Sequence, residues 1–87
     1  MRKEHLIEMK NTQILIDSID KVKAFVNEIA RFDCDFDLIS GRYVIDAKSI
    51  MGIFSLDISK PIELDIHVTD ETEAAEIMKA LQPYLAG

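Results

Sequence analysis

The sequence predicts an α+β protein, an open-faced β-sandwich in which a four-stranded antiparallel sheet is covered on one face by three helices. Three observations lead to this prediction. Two segments alternate between apolar and polar residues, which is typical of strands with one buried and one solvated face. Two other segments repeat their apolar residues at helical spacing. The 87 residues are the size of one domain, so 1–87 is expected to share a single core.

Composition and charge argue against several classes of function. Ten Lys and Arg against sixteen Asp and Glu give a formal net charge of −6. Because nucleic-acid binding requires basic side chains that neutralise phosphates, we expect no nucleic-acid partner. We expect no membrane segment and no signal peptide, since no apolar run approaches the roughly 20 residues of a bilayer span. Cys34 is the only cysteine, which excludes an internal disulfide and favours a cytoplasmic location.

The N-terminal part predicts a strand followed by a helix. Residues 5–10 are interpreted as a short edge strand, and residues 13–16 either extend it or form the turn after it. Asp17 or Ser18 is expected to cap the helix, because both side chains accept hydrogen bonds from first-turn N–H groups. The helix is expected over 19–31, with an apolar stripe formed by Val22, Phe25, Val26 and Ile29.

Residues 34–46 predict a β-hairpin. Ser40-Gly41 indicates the turn, and Tyr43 begins the return strand. In the first strand, Cys34, Phe36 and Leu38 alternate with Asp33, Asp35 and Asp37. The apolar residues are therefore expected on the core face and the carboxylates on the other.

The remaining segments predict a short helix, a strand and a final helix. Ser49 precedes Ile50 and is expected to cap a helix of one to two turns, although Gly52 weakens that helix by about 1 kcal/mol. Pro61 to Val68 alternates as a strand, with Ile62, Leu64, Ile66 and Val68 facing inward and Glu63, Asp65 and His67 outward.

The final helix carries its own start and stop signals. Asp70 and Glu73 predict a capping box at its beginning. Pro83 is expected to fray or kink its last turn. The apolar stripe comprises Ala74, Ile77, Met78, Leu81 and Leu85.

Candidate metal and nucleophilic sites are weak. The three aspartates at 33, 35 and 37 match positions 1, 3 and 5 of a calcium loop, but Leu38 and Val44 replace the required Gly and Glu, so a solvated strand face is favoured. His67 shares a strand face with Glu63 and Asp65, and a surface histidine is favoured over a weak metal site. Cys34 is expected to be a buried hydrophobe. We expect no metal and no cofactor.

The segment 47–56, AKSIMGIFSL, carries the strongest functional signal. A helix N-terminus presents unpaired N–H groups, so a phosphate on Ser49 would be stabilised there. A two-turn helix cannot bury apolar residues on every side. Ile53 is expected to face inward, while Met51 and Phe54 share a face exposed to solvent. A plain cap at Ser49 and an ordinary core cluster remain the alternatives.

AKSIMGIFSL, followed by a strand that opens at Pro61, resembles the second half of HPr, the histidine phosphocarrier family of the bacterial phosphotransferase system. The resemblance runs without a gap from about Phe32 to Leu85. The predicted order β-α-β-β-α-β-α matches the HPr fold over the whole chain. The family's histidine lies just before the first helix, in a GLHARPA-like stretch, and accepts phosphate from enzyme I.

Extending this match places Ser18 at the histidine position, with Asp20 where the family has arginine and Lys21 where it has proline. An alternative match places Ile16 there instead. Residues 15–22, LIDSIDKV, contain no histidine, and His5 is too far away along the chain. The resemblance thus implies a divergent HPr without the phosphocarrier histidine. We expect neither a catalytic residue nor enzyme activity.

The features that the HPr family uses for regulation are retained in this sequence. In Gram-positive bacteria, the serine that matches Ser49 is phosphorylated by HPr kinase/phosphorylase, and the product is a corepressor in carbon catabolite repression. Lys48, Ile50, Met51 and Phe54 match the surface that HPr partners bind. The implied partners are the kinase/phosphorylase, a catabolite-control repressor and other phosphotransferase proteins, of which the first two also contact the arginine that Asp20 replaces.

The leading hypothesis is a non-catalytic regulatory or adaptor module, with phosphorylation of Ser49 as its candidate switch. A phosphocarrier that uses an atypical residue is the alternative from the enzyme class. A structural module in which Ser49 is only a cap is the third.

Overall fold

The computed structural model describes residues 8–86, and its elements follow the predicted order. The elements are β1 (Glu8–Ile14), α1 (Ile19–Ile29), β2 (Asp35–Ser40), β3 (Tyr43–Asp46), α2 (Ile50–Ile53), β4 (Ile62–Val68), α3 (Glu71–Ala80) and a 3-10 turn (Gln82–Tyr84). The strands of this part of the chain form one antiparallel sheet in the order β1-β4-β2-β3. The predicted α+β class and open-faced sandwich are confirmed.

The core lies between the sheet and the helices. Alternate residues of β2 and β4 are buried, and the inward stripes of α1 and α3 pack against them. The largest fully buried side chains include Phe25, Phe36, Ile53, Leu64 and Ile77. The alternation of apolar and polar residues thus determined which face of each strand is buried, as predicted.

Side-chain caps start α1, α2 and α3. Oγ of Ser18 accepts from the N–H of Lys21, 3.1 Å away, so Ser18 rather than Asp17 caps α1. A carboxylate oxygen of Asp70 accepts from the N–H of Thr72 at the start of α3. These bonds satisfy N–H groups that have no partner within the first turn.

The first strand differs from its prediction. Residues 5–7, including His5, lie outside the described residues. β1 continues through Asn11 and Thr12 to Ile14, so residues 13 and 14 extend the strand. Polar residues form this stretch because β1 is an edge strand that takes its backbone hydrogen bonds from β4.

Three further boundaries differ by one or two residues. α1 ends at Ile29, before the predicted residue 31. β2 starts at Asp35, which leaves Cys34 half-buried in the preceding turn. The hairpin turn is Gly41-Arg42, because Ser40 still pairs with Tyr43. Gly41 has φ +60°, which a glycine tolerates at the first position of a two-residue turn.

The C-terminal helix ends earlier than its apolar stripe suggested. α3 stops at Ala80, and Pro83 lies in the 3-10 turn that follows. Leu85 is therefore not helical and forms an antiparallel bridge with Ile14. None of the helices in residues 8–86 has the length and hydropathy that crossing a membrane would require.

Candidate functional site

Ser49 is held in a tight turn between β3 and α2. Its Oγ accepts from the N–H of Gly52 at 3.1 Å, which makes it the N-cap of α2, as predicted. Its own N–H donates to the carbonyl of Asp46 at 3.0 Å, and the Asp46 carboxylate accepts from the N–H of Lys48 at 2.9 Å. The Ser49 side chain is exposed, so a kinase would find its oxygen at the surface.

Gly52 allows α2 to approach β3 closely. A Cβ atom built at this position would lie 2.6 Å from Cγ2 of Ile45 and 3.2 Å from Oγ of Ser49. Both distances are shorter than ordinary van der Waals contact. The glycine is therefore explained by packing, which compensates for its poor helix propensity.

Two apolar side chains of α2 and that of its C-cap residue, Phe54, face solvent. Met51 is 81% exposed, Phe54 39% and Ile50 36%, whereas Ile53 is fully buried. The predicted orientation of α2 is thus confirmed. We call Ile50, Met51 and Phe54 the α2 surface. Clustered apolar side chains at a surface are typical of protein-binding sites, because their burial favours association.

Lys48 is engaged within the protein. Its Nζ donates to the carbonyl of Phe32 at 2.7 Å and lies 5.6 Å from the centre of the Phe36 ring. The side chain is half-buried. Its ammonium group therefore ties the residues before α2 to the turn after α1. The expected contact of Lys48 with a partner protein stays a prediction.

The start of α1 exposes only one of the two positions considered for the family histidine. Ile16 is fully buried, and Ser18 is exposed. Ser18 is also the residue that caps the helix, which is the place the resemblance assigns to the histidine. Neither of the two positions holds an imidazole.

The charges at this helix start are unfavourable for an anion. Asp17 and Asp20 flank Ser18, and Asp20 lies in the first turn of α1. Nζ of Lys21 is 3.3 Å from a carboxylate oxygen of Asp17. The Lys21 ammonium group is therefore paired locally, while Asp20 adds a negative charge to the first turn, which disfavours a phosphoryl group on Ser18.

Polar side chains form hydrogen bonds across the open face of the sheet. Nε2 of His67 lies 2.8 Å from Oδ2 of Asp37 on the neighbouring strand. Nδ2 of Asn11 donates to both Glu63 and Asp65. The sequence had grouped His67 with these two carboxylates, but the carboxylates share Asn11 as their partner, whereas His67 contacts Asp37. Asp35 and Asp37 lie on the open face of β2, as predicted, whereas Asp33 precedes the strand.

Cys34 packs at the edge of the core rather than inside it. It is half-buried against the hydrophobic cluster. Burial, together with the nearby Glu73 charge, raises the pKa of its thiol above the usual value. A neutral thiol in this position is a weak nucleophile, in keeping with a packing role.

A family model described as the PTS HPr component phosphorylation site matches residues 21–86. The chain belongs to the HPr family. A solved structure, HPr-C-His from Thermoanaerobacter tengcongensis, is 28% identical, with a TM-score of 0.65 over 83% of this chain and 89% of that one. No curated protein matches the chain. The predicted HPr family and fold are confirmed.

The HPr match begins three residues after Ser18, at Lys21. It includes the whole stretch from Phe32 to Leu85 that carried the resemblance, and with it α2, Ser49 and the α2 surface. Membership of the HPr family implies contact with other phosphotransferase proteins.

Sequence reasoning missed the residues that fix Ser49 from outside its helix. The Asp46 carboxylate accepts a hydrogen bond from the N–H of Lys48, and the Ile45 side chain packs against Gly52. The Phe32 carbonyl accepts a hydrogen bond from the Lys48 ammonium group. Only the first had a readable signal, since an aspartate commonly accepts from the N–H two residues ahead. The other two contacts require the hairpin to be packed against α2 and α1.

Proposed function

We propose that this HPr-family protein is a non-catalytic regulatory or adaptor module, which binds protein partners through the α2 surface and is switched by phosphorylation of Ser49. The proposal includes a cytoplasmic location, where the phosphotransferase proteins act. It excludes a phosphocarrier role, because phosphate relay in the family requires an imidazole.

The observation that carries this proposal is the capping of α1 by Ser18. The position that family resemblance gives to the histidine holds a hydroxyl, and Asp20 stands close by. A serine phosphate ester lacks the labile P–N bond of a phosphohistidine. Relay to a sugar-specific acceptor would therefore be slow at this site, even if the hydroxyl were phosphorylated.

Ser49 combines the features that a regulatory site needs. It is exposed, caps a helix and adjoins the three apolar side chains of the α2 surface. A phosphate there would place about two negative charges beside an apolar patch. That change would alter which partner surfaces the patch accepts, by adding a requirement for basic groups.

The phosphate is proposed to act on binding rather than on the fold. The nearest lysine along the chain, Lys48, is already bonded to the Phe32 carbonyl, and Asp46, whose carbonyl accepts from the N–H of Ser49, carries a negative charge. A phosphate on Ser49 is therefore not expected to rearrange the fold in order to pair with a lysine of the same chain. By resemblance, the partners are HPr kinase/phosphorylase, a catabolite-control repressor and other phosphotransferase proteins.

The experiment is phosphorylation by a purified HPr kinase/phosphorylase with ATP, followed by intact mass. Wild type and Ser18→Ala should each gain one phosphoryl group, and Ser49→Ala should gain none. Ser18→Ala is the matched control because Ser18 is also an exposed helix-capping serine. Absence of phosphate on the wild type, or its presence on Ser49→Ala, would contradict the switch and favour Ser49 as a plain cap.

A further inference from the structure

The outer edge of β3 is open. β3 is the last strand of the sheet, and no described residue pairs with its outer side. The opposite edge is different, because the C-terminal segment partly covers β1: Leu15 donates to the carbonyl of Tyr84, and Ala86 to that of Gln13. An uncovered edge strand offers backbone donors and acceptors to another strand.

Apolar side chains stand on both faces of this open edge. Tyr43 is 69% exposed and Val44 is 65% exposed. Val44 pairs with Ile39 of β2 on the open face, while Tyr43 lies on the helix-covered face with Ile45. Strands at a free edge usually carry charges that discourage pairing, so two large exposed hydrophobic residues at successive positions are unusual there.

The charges at the two ends of β3 are unbalanced within one molecule. Asp46 is opposite Asp37, which is in turn opposite Asp65, so three carboxylates stand in a row across neighbouring strands. His67 contacts Asp37 and Asn11 donates to Asp65, whereas Asp46, at the outer end, forms no salt bridge with any described residue. Like charges in directly opposite positions destabilise a sheet. Arg42, at the other end of β3, forms no salt bridge with any described residue.

We propose that β3 pairs antiparallel with β3 of a second copy of this chain, with Val44 on the two-fold axis. This register places Arg42 of each copy opposite Asp46 of the other. Each Arg42 guanidinium group then lies beside the Asp46 carboxylate at the outer end of the other copy's row and neutralises its charge. A two-fold arrangement satisfies both ends of the strand at once, since it is self-complementary.

The directions in which the backbone N–H and C=O groups of β3 point favour the same register. Ser40 and Tyr43 close a two-residue hairpin, and such a closing pair exchanges its hydrogen bonds internally. The N–H and C=O groups of Val44 therefore point away from β2. With Val44 on the axis, these groups meet their counterparts in the second copy, and Tyr43 lies beside Ile45 of that copy.

The resulting dimer has a continuous sheet and a small interface. On the open face, Ile39 and Val44 of each copy form an apolar stripe across the axis. Because only about one short strand per copy contributes, the association is expected to be weak and to require high protein concentration. It involves β3 rather than the α2 surface, so it goes beyond the proposed function and does not depend on it.

Charge reversal tests the register. Sedimentation velocity over a concentration series should show dimers of the wild type. Arg42→Asp should abolish them by setting Asp against Asp46, and Asp46→Arg should do so by setting Arg against Arg42. An equimolar mixture of the two variants should restore the dimer, because each Asp then faces an Arg. Lys23→Asp, which makes the same charge change on α1, should dimerise like the wild type.

Two results would overturn the proposal. The first is a wild type that sediments as a monomer at every concentration. The second is a dimer that persists in both single variants, or that their mixture fails to restore although melting curves show both variants folded. The double variant Arg42→Asp/Asp46→Arg keeps the result interpretable if Asp46→Arg alone disturbs the turn to Lys48, since it should dimerise with itself.

Discussion

Gly52 and Ile45 are in such close contact that a methyl group on the glycine would overlap the isoleucine, with its carbon 2.6 Å from Cγ2. This contact fixes α2 against β3. It thereby determines how Ser49 and the α2 surface are presented to solvent. The position of the candidate site therefore depends on the lack of a side chain at Gly52 and on the branched side chain of Ile45.

Gly52→Ala should therefore lower the free energy of unfolding. Alanine would add up to about 1 kcal/mol of helix propensity, but overpacking typically costs about 1–3 kcal/mol. Denaturant melts of Gly52→Ala, Ile45→Ala and the double variant measure the balance. In the Ile45→Ala background, which lacks Cγ2, the glycine substitution should be neutral or stabilising. An equal loss in both backgrounds would show that the contact with Ile45 is not the cause.

Phe54→Ala should cost under about 1.5 kcal/mol of stability, as expected for a partly exposed residue. Ile53→Ala is the matched comparison, since Ile53 is adjacent but fully buried, and should cost about 2–5 kcal/mol. Melts of both variants separate the two faces of α2. A loss above about 3 kcal/mol for Phe54→Ala would make it a core residue and remove the main support for docking through the α2 surface.

Ser49→Asp should raise stability slightly, by about 0.3–1 kcal/mol at most, because a carboxylate at the start of a helix interacts favourably with its dipole. Ser49→Ala should instead cost about 1 kcal/mol through loss of the cap. Thermal or denaturant melts at low ionic strength compare the two. Destabilisation by the aspartate would mean that repulsion from Asp46 outweighs the dipole, and would argue against a phosphate at this position.

Cys34 should react slowly with a thiol reagent in the native state and quickly in denaturant. Burial raises the pKa of its thiol, so less of the reactive thiolate is present at neutral pH in the folded protein. The rate should therefore rise with pH, and its midpoint should lie higher in the native protein than in the unfolded chain. Equal rates in the two states would refute the packing of Cys34 against the core.

Periodicity predicted the elements whose two faces differ in polarity. The stripe from Val22 to Ile29 and the alternation from Ile62 to Val68 each appear in the structure with the expected burial. β1 was harder to delimit, because its polar residues around Asn11 are stabilised by pairing with β4 rather than by their own burial.

The site was predictable where it depended on local chemistry. A serine before apolar residues identified Ser49 as a cap, and the shortness of α2 predicted the exposure of Met51 and Phe54. Contacts between distant segments had no such signal. The pairing of His67 with Asp37 follows from β2 lying beside β4, which no local pattern specifies.

The most direct test of the proposed function is phosphate transfer from enzyme I. The protein should be incubated with labelled phosphoenolpyruvate and purified enzyme I, with an HPr that contains the histidine as a positive control in the same reaction. We expect the control to carry acid-labile label and this chain to carry none, because residues 15–22 contain no imidazole. Acid-labile label on this chain would contradict the account and establish a phosphocarrier that uses another residue.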